Sequence, residues 1–143
     1  QPFVSYMIAP CWHCAEPLCA EACPVDAITK RAEDGIVLVD SEVCLGKAEC
    51  DLKCLKACPY DAPQFGPENN AKMHKCNFCL DRHLQGNLPD CIEACPVRAL
   101  DAGPLAELEK KYGSNKVAVD FKYSQRAKPA VVIKAKKRSR DLS

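Results

Sequence analysis

The feature that most constrains this chain is a cysteine–proline motif that occurs three times. Each copy has the pattern C-x-x-x-C-P-x-x-A, and the copies begin at Cys19, Cys54 and Cys91, 35 and then 37 residues apart. Cysteines four residues apart lie on one face of a helix, and the proline after the second cysteine limits continuation of that helix. The motif therefore predicts three short helical turns, each of which presents two cysteines on one side.

All 12 cysteines of the 143 residues fall into three groups of four, with none left over. Each group combines one copy of the motif with two further cysteines upstream of it. The groups are Cys11, Cys14, Cys19 and Cys23, then Cys44, Cys50, Cys54 and Cys58, and finally Cys76, Cys79, Cys91 and Cys95. A protein of this length buries little apolar surface, so we expect bound metal or disulfides to supply much of its stability.

Sets of four cysteines followed by proline are typical of [4Fe–4S] sites. In the bacterial ferredoxin run C-x2-C-x2-C-x3-C-P, the last cysteine binds the other cluster of a pair. The first two groups are lengthened forms of this run, whereas the third has no partner run. We therefore predict three [4Fe–4S] clusters. Their predicted ligands are Cys11, Cys14, Cys19 and Cys58 for the first, Cys44, Cys50, Cys54 and Cys23 for the second, and Cys76, Cys79, Cys91 and Cys95 for the third.

Three other interpretations stay open at this point. Four cysteines also form structural zinc sites, and the Cys76-x2-Cys79 pair alone would suit zinc. Disulfides would use the same residues in an oxidising compartment. Histidine replaces cysteine in some clusters, but the cysteines already complete three sets. We therefore expect His13, His74 and His83 to be surface or hydrogen-bonding groups, and Trp12 and Phe78 to shield clusters.

The predicted fold class is a small α+β protein, with ferredoxin-like β-hairpins and short helices around the clusters. Ala27–Lys30 and Ile36–Asp40 predict a hairpin that turns at residues 33–35. A helix is expected from Pro104 to about Tyr112, ended by Gly113. The predicted units are a two-cluster unit over residues 1–66, a third-cluster loop over 67–102, and a helix with an extended basic tail for partner docking over 103–143.

Charge is divided unevenly along the chain. Residues 1–121 contain 12 Lys and Arg against 18 Asp and Glu, whereas residues 122–143 contain 8 against 1. The acidic part favours low cluster potentials. The basic end suits a nucleic acid or an anionic lipid, but no groove of interleaved basic and aromatic residues accompanies it. We therefore expect residues 117–138 to dock on a partner, and no nucleic acid to bind.

The sequence contains no motif that indicates a catalytic site. Glycine-rich phosphate loops and the G-x-S-x-G nucleophile motif are absent, so we predict an electron carrier without a catalytic site. No apolar run approaches the roughly 18 residues of a membrane span, and the first ten residues do not resemble a secretory signal. Reduced thiols favour metal sites over disulfides in the cytosol, so we expect a cytoplasmic location.

These motifs resemble the iron–sulfur subunits of molybdenum and tungsten oxidoreductases, of the dimethyl-sulfoxide-reductase beta-subunit type. The resemblance extends over most of the chain, from about Cys11 to Ile133. The segments that carry it are CWHCAEPLC (11–19), DGIVLVD (34–40), ACPYDAPQF (57–65), KCNFCLDR (75–82), CPVRALDAGP (95–104) and KPAVVI (128–133). It implies a large catalytic subunit that holds molybdopterin or tungstopterin, an external electron donor or acceptor protein, and a hetero-oligomer.

The sequence departs from the cysteine pattern of this family in two places. Members usually carry a fourth cysteine run at the N-terminus, which is absent from residues 1–143 and would precede Gln1 if the N-terminus is trimmed. In addition, Lys47 stands where a cysteine is expected, with Cys50 further on. A three-cluster chain is most similar to the small subunit of tungsten-dependent class II benzoyl-CoA reductases. Subunits of tungsten aldehyde oxidoreductases or of dimethyl-sulfoxide-reductase-type enzymes, and a free polyferredoxin, are the alternatives.

Overall fold

The computed structural model describes residues 7–134, and every helix and strand in that range is short. In chain order the elements are α1 (Leu18–Glu21), β1 (Ile28–Lys30), β2 (Val37–Val39), α2 (Lys47–Cys50), α3 (Lys53–Ala57), β3 (Gln64–Phe65), β4 (Met73–His74), α4 (Leu80–Leu84), α5 (Asp90–Glu93) and α6 (Leu105–Tyr112). This architecture of short helices and two small antiparallel sheets is consistent with the predicted small α+β class. Within the same residues, no helix has the length and apolar character needed to span a bilayer.

The three copies of the cysteine–proline motif form α1, α3 and α5, as predicted. Pro17 and Pro89 stand just before α1 and α5, where their ψ angles of 95° and 145° are extended. A proline at this boundary sacrifices no helical hydrogen bond, because the first N–H groups of a helix have no partner within it. Each helix ends before its Cys-Pro pair, so the second cysteine of each motif lies beyond the helix.

Strands β1 and β2 form the hairpin that the sequence predicts, with β1 one residue shorter at its start and β2 one residue shorter at each end. Ile28 pairs with Val39 and Lys30 with Val37. At the turn, Gly35 has a φ of +74°, a conformation that glycine adopts at little cost. The Asp34 carboxylate accepts a hydrogen bond from the Ile36 N–H at 3.0 Å, which fixes the start of the returning strand.

A second hairpin, not predicted from the sequence, joins β3 to β4. Phe65 pairs with Met73, and strands of two residues are too short to show an alternating pattern. Met73 is 1% exposed and belongs to the core. The core gathers both hairpins and two cysteines: Ala27, Ile28, Val37, Cys44, Cys54 and Met73.

Helix α6 begins at Leu105, one residue later than predicted, because Pro104 keeps an extended ψ of 129° and precedes the helix. Gly113 ends it, as expected, with a φ of +86°. The Asp101 carboxylate receives hydrogen bonds from the Lys111 Nζ at 2.8 Å and from the Tyr112 hydroxyl at 2.6 Å. These contacts fasten the last turn of α6 to the segment that follows the third cysteine group.

The extended segment after α6 packs on the chain's own first unit through residue 134, although the sequence predicts that it docks on a partner. Ala15 and Glu16 donate backbone hydrogen bonds to the carbonyls of Lys128 and Ala127. The Ala130 N–H donates to the Trp12 carbonyl at 3.0 Å. Four residues of the segment are buried: Phe121, Ala127, Pro129 and Val131. These four residues pack within the chain, whereas Val117 and Val119 of the same segment are exposed. Docking of the segment on a partner stays a prediction, and residues 135–143 of the predicted tail lie outside the described residues.

Candidate metal centres

Four cysteines surround the first candidate site. Cys11 and Cys14 come from the loop before α1, Cys19 from α1, and Cys58 from the end of α3. They line one cavity. The other residues that line it are Trp12, Pro17, Leu18, Val37, Pro59, Tyr60, Ala62, Pro63, Lys75 and Ala127. Apolar walls of this kind exclude water from the sulfurs.

A second cavity is lined by Cys23, Cys44, Cys50 and Cys54. Three of these cysteines come from the second run and Cys23 from the first. Cys44 and Cys54 are buried. Cys50 reaches this cavity from α2, although it stands at an unusual spacing in the sequence. The structure therefore brings together the same two sets of four that the sequence predicts, with one cysteine exchanged between the runs.

The third group lies at the surface. Cys76 and Cys91 are exposed, and Cys79 and Cys95 are half-buried. Burial raises the pKa of the Cys91 thiol, and the nearby Cys76 and Cys79 raise it further, so these three cysteines are neighbours. Arg82 holds this region together: its Nε lies 3.0 Å from Asp90 Oδ1 and 2.9 Å from the Leu88 carbonyl.

The first group adjoins each of the other two groups. The Cys19 thiol of the first group lies near enough to Cys54 of the second to raise the pKa of that buried thiol. Cys76 of the third group likewise raises the pKa of Cys11, although burial raises it more. Both neighbouring groups therefore adjoin the first one, through different cysteines.

Backbone amides point at sulfur atoms in the repeated motif. The residue three positions after the final cysteine has a left-handed conformation in all three copies: Asp26 (φ 52°), Asp61 (φ 50°) and Arg98 (φ 49°). In two copies the next amide then donates to that cysteine: Ala27 N–H to Cys23 Sγ and Ala99 N–H to Cys95 Sγ, both at 3.3 Å. Left-handed residues other than glycine cost about 1 kcal/mol or more, so their recurrence beside cysteines indicates a functional demand.

The two C-x2-C loops also contain left-handed residues beside their cysteines. His13 and Phe78, each directly before the second cysteine of its loop, have φ angles of 42° and 61°. The Phe78 N–H donates to Cys76 Sγ at 3.4 Å. Alternating right- and left-handed residues direct successive N–H groups into a concavity that suits anions and iron–sulfur groups. The chemistry of this donor set fits [4Fe–4S] clusters.

Three of the cysteines that line the first two cavities are protonated at neutral pH until they bind a metal. Burial raises the pKa of Cys14, Cys19 and Cys54 to about 11. In the exposed third group the Ala99 N–H instead lowers the pKa of Cys95. Metal ligands must be deprotonated, so loading of the two enclosed sites releases protons into solution.

A single metal ion is a poorer match for this geometry. Among residues 7–134, no three Cys, His, Asp or Glu side chains are grouped as ligands of one ion. A zinc site holds its sulfurs about 2.3 Å from one ion. The first eight cysteines instead line two cavities in sets of four, which is the number of ligands that a [4Fe–4S] cluster requires.

His13 is buried between two cysteines of the first site, although the sequence reasoning allowed it a surface position, and Trp12 lines that site's cavity as a half-buried side chain. His13 is 9% exposed, and its Nδ1 accepts a hydrogen bond from the Val37 N–H at 3.0 Å. Burial, helped by Lys75, lowers the pKa of His13 to about 4, which keeps it neutral. Nε1 of Trp12 and Nε2 of His13 are buried without a hydrogen-bond partner. Their position between Cys11 and Cys14 was the one sequence signal for this role.

Phe78 contacts two histidines and lies apart from the first cavity's lining. Its ring is edge-on to His13 and to His83, at 5.5 and 5.8 Å between ring centroids. His83 also lies 3.5 Å from the Asp34 carboxylate of the hairpin turn. His74 is exposed on β4. This small aromatic contact therefore ties the third group's loop to the first hairpin.

Comparison with known proteins identifies relatives with iron–sulfur functions. Residues 2–105 match the family described as "4Fe-4S dicluster domain". The B subunit of the anaerobic dimethyl sulfoxide reductase of Escherichia coli is 44% identical over 138 residues, which is 96% of this chain and 64% of that protein. The E. coli formate dehydrogenase-O iron-sulfur subunit is 38% identical over 108 residues, 76% of this chain and 34% of that subunit. The perchlorate reductase subunit beta of Dechloromonas aromatica is 42% identical over 98 residues, 68% of this chain and 28% of its own length.

Proposed function

This protein belongs to the family of 4Fe-4S dicluster domains, and from this premise we propose that it is an electron-transfer subunit of the beta type. It relays single electrons to or from a separate catalytic subunit and has no catalytic site of its own. The observation that carries the proposal is the pair of cavities, each lined by four cysteines of which one comes from the other run. This exchange of ligands is typical of paired ferredoxin clusters.

We assign three [4Fe–4S] clusters, although the family description names two. The first would be held by Cys11, Cys14, Cys19 and Cys58, the second by Cys23, Cys44, Cys50 and Cys54, and the third by Cys76, Cys79, Cys91 and Cys95. Clusters of this type supply one-electron transfer. The chain's own residues hold the sulfurs in place, exclude water from the first two sites and donate amide hydrogen bonds to cysteine sulfurs.

The proposed electron path connects the three sites in the order second, first, third. Electrons pass between the second and third sites through the first, because Cys19 adjoins Cys54 and Cys11 adjoins Cys76. The exposed third group is at one end of this path, where an external partner has access to it. The division into a two-cluster unit (1–66), a third-cluster loop (67–102) and a C-terminal part (103–143) stays part of the proposal.

The partner we propose is a large subunit that binds molybdenum or tungsten through a pterin. The chain spans 64% of the length of its dimethyl sulfoxide reductase relative from E. coli, so the activities of such relatives are not transferred to it as a whole. The relatives' names favour a dimethyl-sulfoxide-reductase-type complex. A tungsten class II benzoyl-CoA reductase and a tungsten aldehyde oxidoreductase remain narrower hypotheses, each supported by the sequence resemblance alone. A cytoplasmic location is proposed because its reducing conditions keep cysteines available for iron.

Metal analysis of the native protein, isolated without oxygen together with what accompanies it, tests the proposal. We expect about 12 iron and 12 sulfide per chain, and molybdenum or tungsten in a fixed ratio with one large protein. Zinc in place of iron would overturn the electron-transfer function. A monomer that holds iron but elutes alone from native extract would instead favour the free polyferredoxin.

A further inference from the structure

One ammonium group is fixed between the first cysteine site and the third. Lys75 directly precedes Cys76, and its side chain lines the first cavity together with that site's four cysteines. Its Nζ donates to the Cys76 carbonyl at 2.9 Å and to the carbonyl of Val37 on strand β2. Val37 is 1% exposed. The charge is therefore held at two points, one in the core hairpin and one in the third group's loop.

Lys75 is the only charged side chain, cysteines aside, among the described residues that line the first cavity. It is half-buried, and a partly buried charge is screened much less by salt and water than an exposed one. Burial raises the pKa of Cys11 and Cys19, and the Lys75 charge opposes that rise in both. The electrostatic influence of Lys75 therefore reaches two ligands on different sides of the site.

Lys72 offers a natural comparison, because it stands directly before strand β4 and Lys75 directly after it. Its Nζ also donates to two carbonyls, those of Cys44 at 2.5 Å and Leu45 at 3.3 Å, and it is also half-buried. It is absent from the lining of the first cavity. The two lysines thus make the same kind of contact with cysteine loops but face different sites.

We propose that Lys75 is a potential-setting residue of the first site, a fixed positive charge that makes this central site easier to reduce. The inference rests on the proposed function, since it requires a cluster in the first cavity. Reduction adds one electron, and hence one negative charge, to the site. The ammonium keeps its own proton and stabilises the added charge by Coulomb attraction. Its local effect opposes the low potential that the acidic balance of residues 1–121 predicts.

The test is an anaerobic redox titration of the intact protein, poised with low-potential viologen mediators and followed by electron paramagnetic resonance. Lys75→Met removes the charge, Lys75→Arg keeps it, and Lys72→Met serves as the matched control. In Lys75→Met we expect the ratio of reduced to oxidised first site at a fixed potential to fall at least tenfold. For a one-electron couple this is a shift of about 59 mV to lower potential. Lys75→Arg and Lys72→Met should leave the midpoint of this site at the wild-type value.

Iron and sulfide are measured on each sample to separate this inference from the proposed function. A wild-type protein without clusters would refute the function itself. Full cluster content in Lys75→Met with unchanged midpoints would overturn the role of Lys75 alone, as would an equal shift in Lys75→Arg. If Lys75→Met loses iron, Lys75→Gln, which can still donate to both carbonyls, is titrated against the same criterion. Loss of iron from both neutral variants would also overturn the proposal, because a residue that only sets a potential is not needed to retain the cluster.

Discussion

The first two cysteine sites and the third site hold equal numbers of cysteines but are built in different ways. In the first two, each set draws one cysteine from the other run, and Cys44 and Cys54 are buried. In the third, all four cysteines come from one loop, and Cys76 and Cys91 are exposed. Nearby apolar side chains are exposed too: Val97 is 77% and Leu84 64% exposed.

This difference separates two ways of stabilising a metal centre in a small protein. The enclosed sites form part of the hydrophobic core, so folding and cluster retention support each other. The third site depends on surface contacts such as the Arg82 ion pairs, which contribute little in water. The enclosed pair is therefore suited to passing electrons within the protein, and the open site to exchanging them with a partner.

The largest expected effect comes from breaking the exchange of ligands. Cys58→Ser removes the cysteine that the second run contributes to the first site, whereas Cys95→Ser removes the matching residue of the third. Each should cost up to one cluster, about four iron per chain, but only Cys58→Ser should also lower the melting temperature markedly. Iron analysis and thermal unfolding measure both. Equal melting temperatures of the two variants would show that the first and third sites contribute equally to thermal stability.

Removal of the cover over the first site should have the next largest effect. Phe121 is 6% exposed; its ring stacks on Tyr60 and meets the edge of Trp12. Phe121→Ala should lower the free energy of unfolding by about 3 kcal/mol and speed the loss of the first cluster in air. Val119→Ala, at a position that is 88% exposed, is the control and should change neither quantity. If Phe121→Ala lost the first cluster at the wild-type rate, Phe121 would not protect that site from air.

The wild-type protein should lose its clusters to oxygen in a fixed order. The third site is exposed and the other two are enclosed, so its signal should disappear first when the protein is titrated with air and followed by electron paramagnetic resonance. Simultaneous loss of all signals would contradict the contrast between open and enclosed sites.

Arg82→Ala should affect the third site alone, by a smaller amount. The side chain joins α4 to Asp90 and Glu93 of α5, and partly exposed pairs of this kind contribute about 1 kcal/mol or less. We expect faster loss of the third cluster with an unchanged melting temperature. Lys116→Ala, which removes a comparable ion pair with Glu109 on α6, should leave all clusters as stable as in the wild type.

The smallest effect concerns pH and the end of α6. Hydrogen bonds from Lys111 and Tyr112 lower the pKa of Asp101. A carboxylate with a lowered folded pKa stabilises the fold above its unfolded value, about 3.9, and this contribution is lost as pH falls through the folded value. Asp101→Asn should therefore reduce stability slightly at neutral pH and flatten its decline below about pH 4. Circular dichroism melts across this pH range measure the effect. If the stability of Asp101→Asn declined with falling pH as steeply as that of the wild type, the Asp101 contact would not stabilise the fold.

The sequence predicted what depends on local spacing. The motif predicted α1, α3 and α5, and the apolar run at residues 36–39 after the turn at residues 33–35 predicted the first hairpin. The four-cysteine groups named the residues that surround each cavity, because bacterial ferredoxin runs already imply the exchange of Cys23 and Cys58. These ligand assignments remain predictions until a cluster is measured.

What the sequence did not reveal depends on long-range packing. The β3–β4 hairpin has strands of two residues, and no periodic pattern can appear over that length. Burial of His13 requires the Val37 N–H, which lies 24 residues away. The segment after α6 shows an apolar alternation that fits any surface, so its packing on Trp12 and Tyr60 cannot be told from docking on a partner. The position of Lys75 likewise becomes meaningful only when β2 and the third loop meet.

The central claim, that two interlocked sites and one open site each hold a [4Fe–4S] cluster, is tested most directly by native mass spectrometry of the anaerobically purified protein. We predict a mass that corresponds to three [4Fe–4S] clusters, and a two-cluster species that appears first under brief exposure to air. A mass with no more than two clusters in the untreated protein, or with bound zinc, would contradict the account.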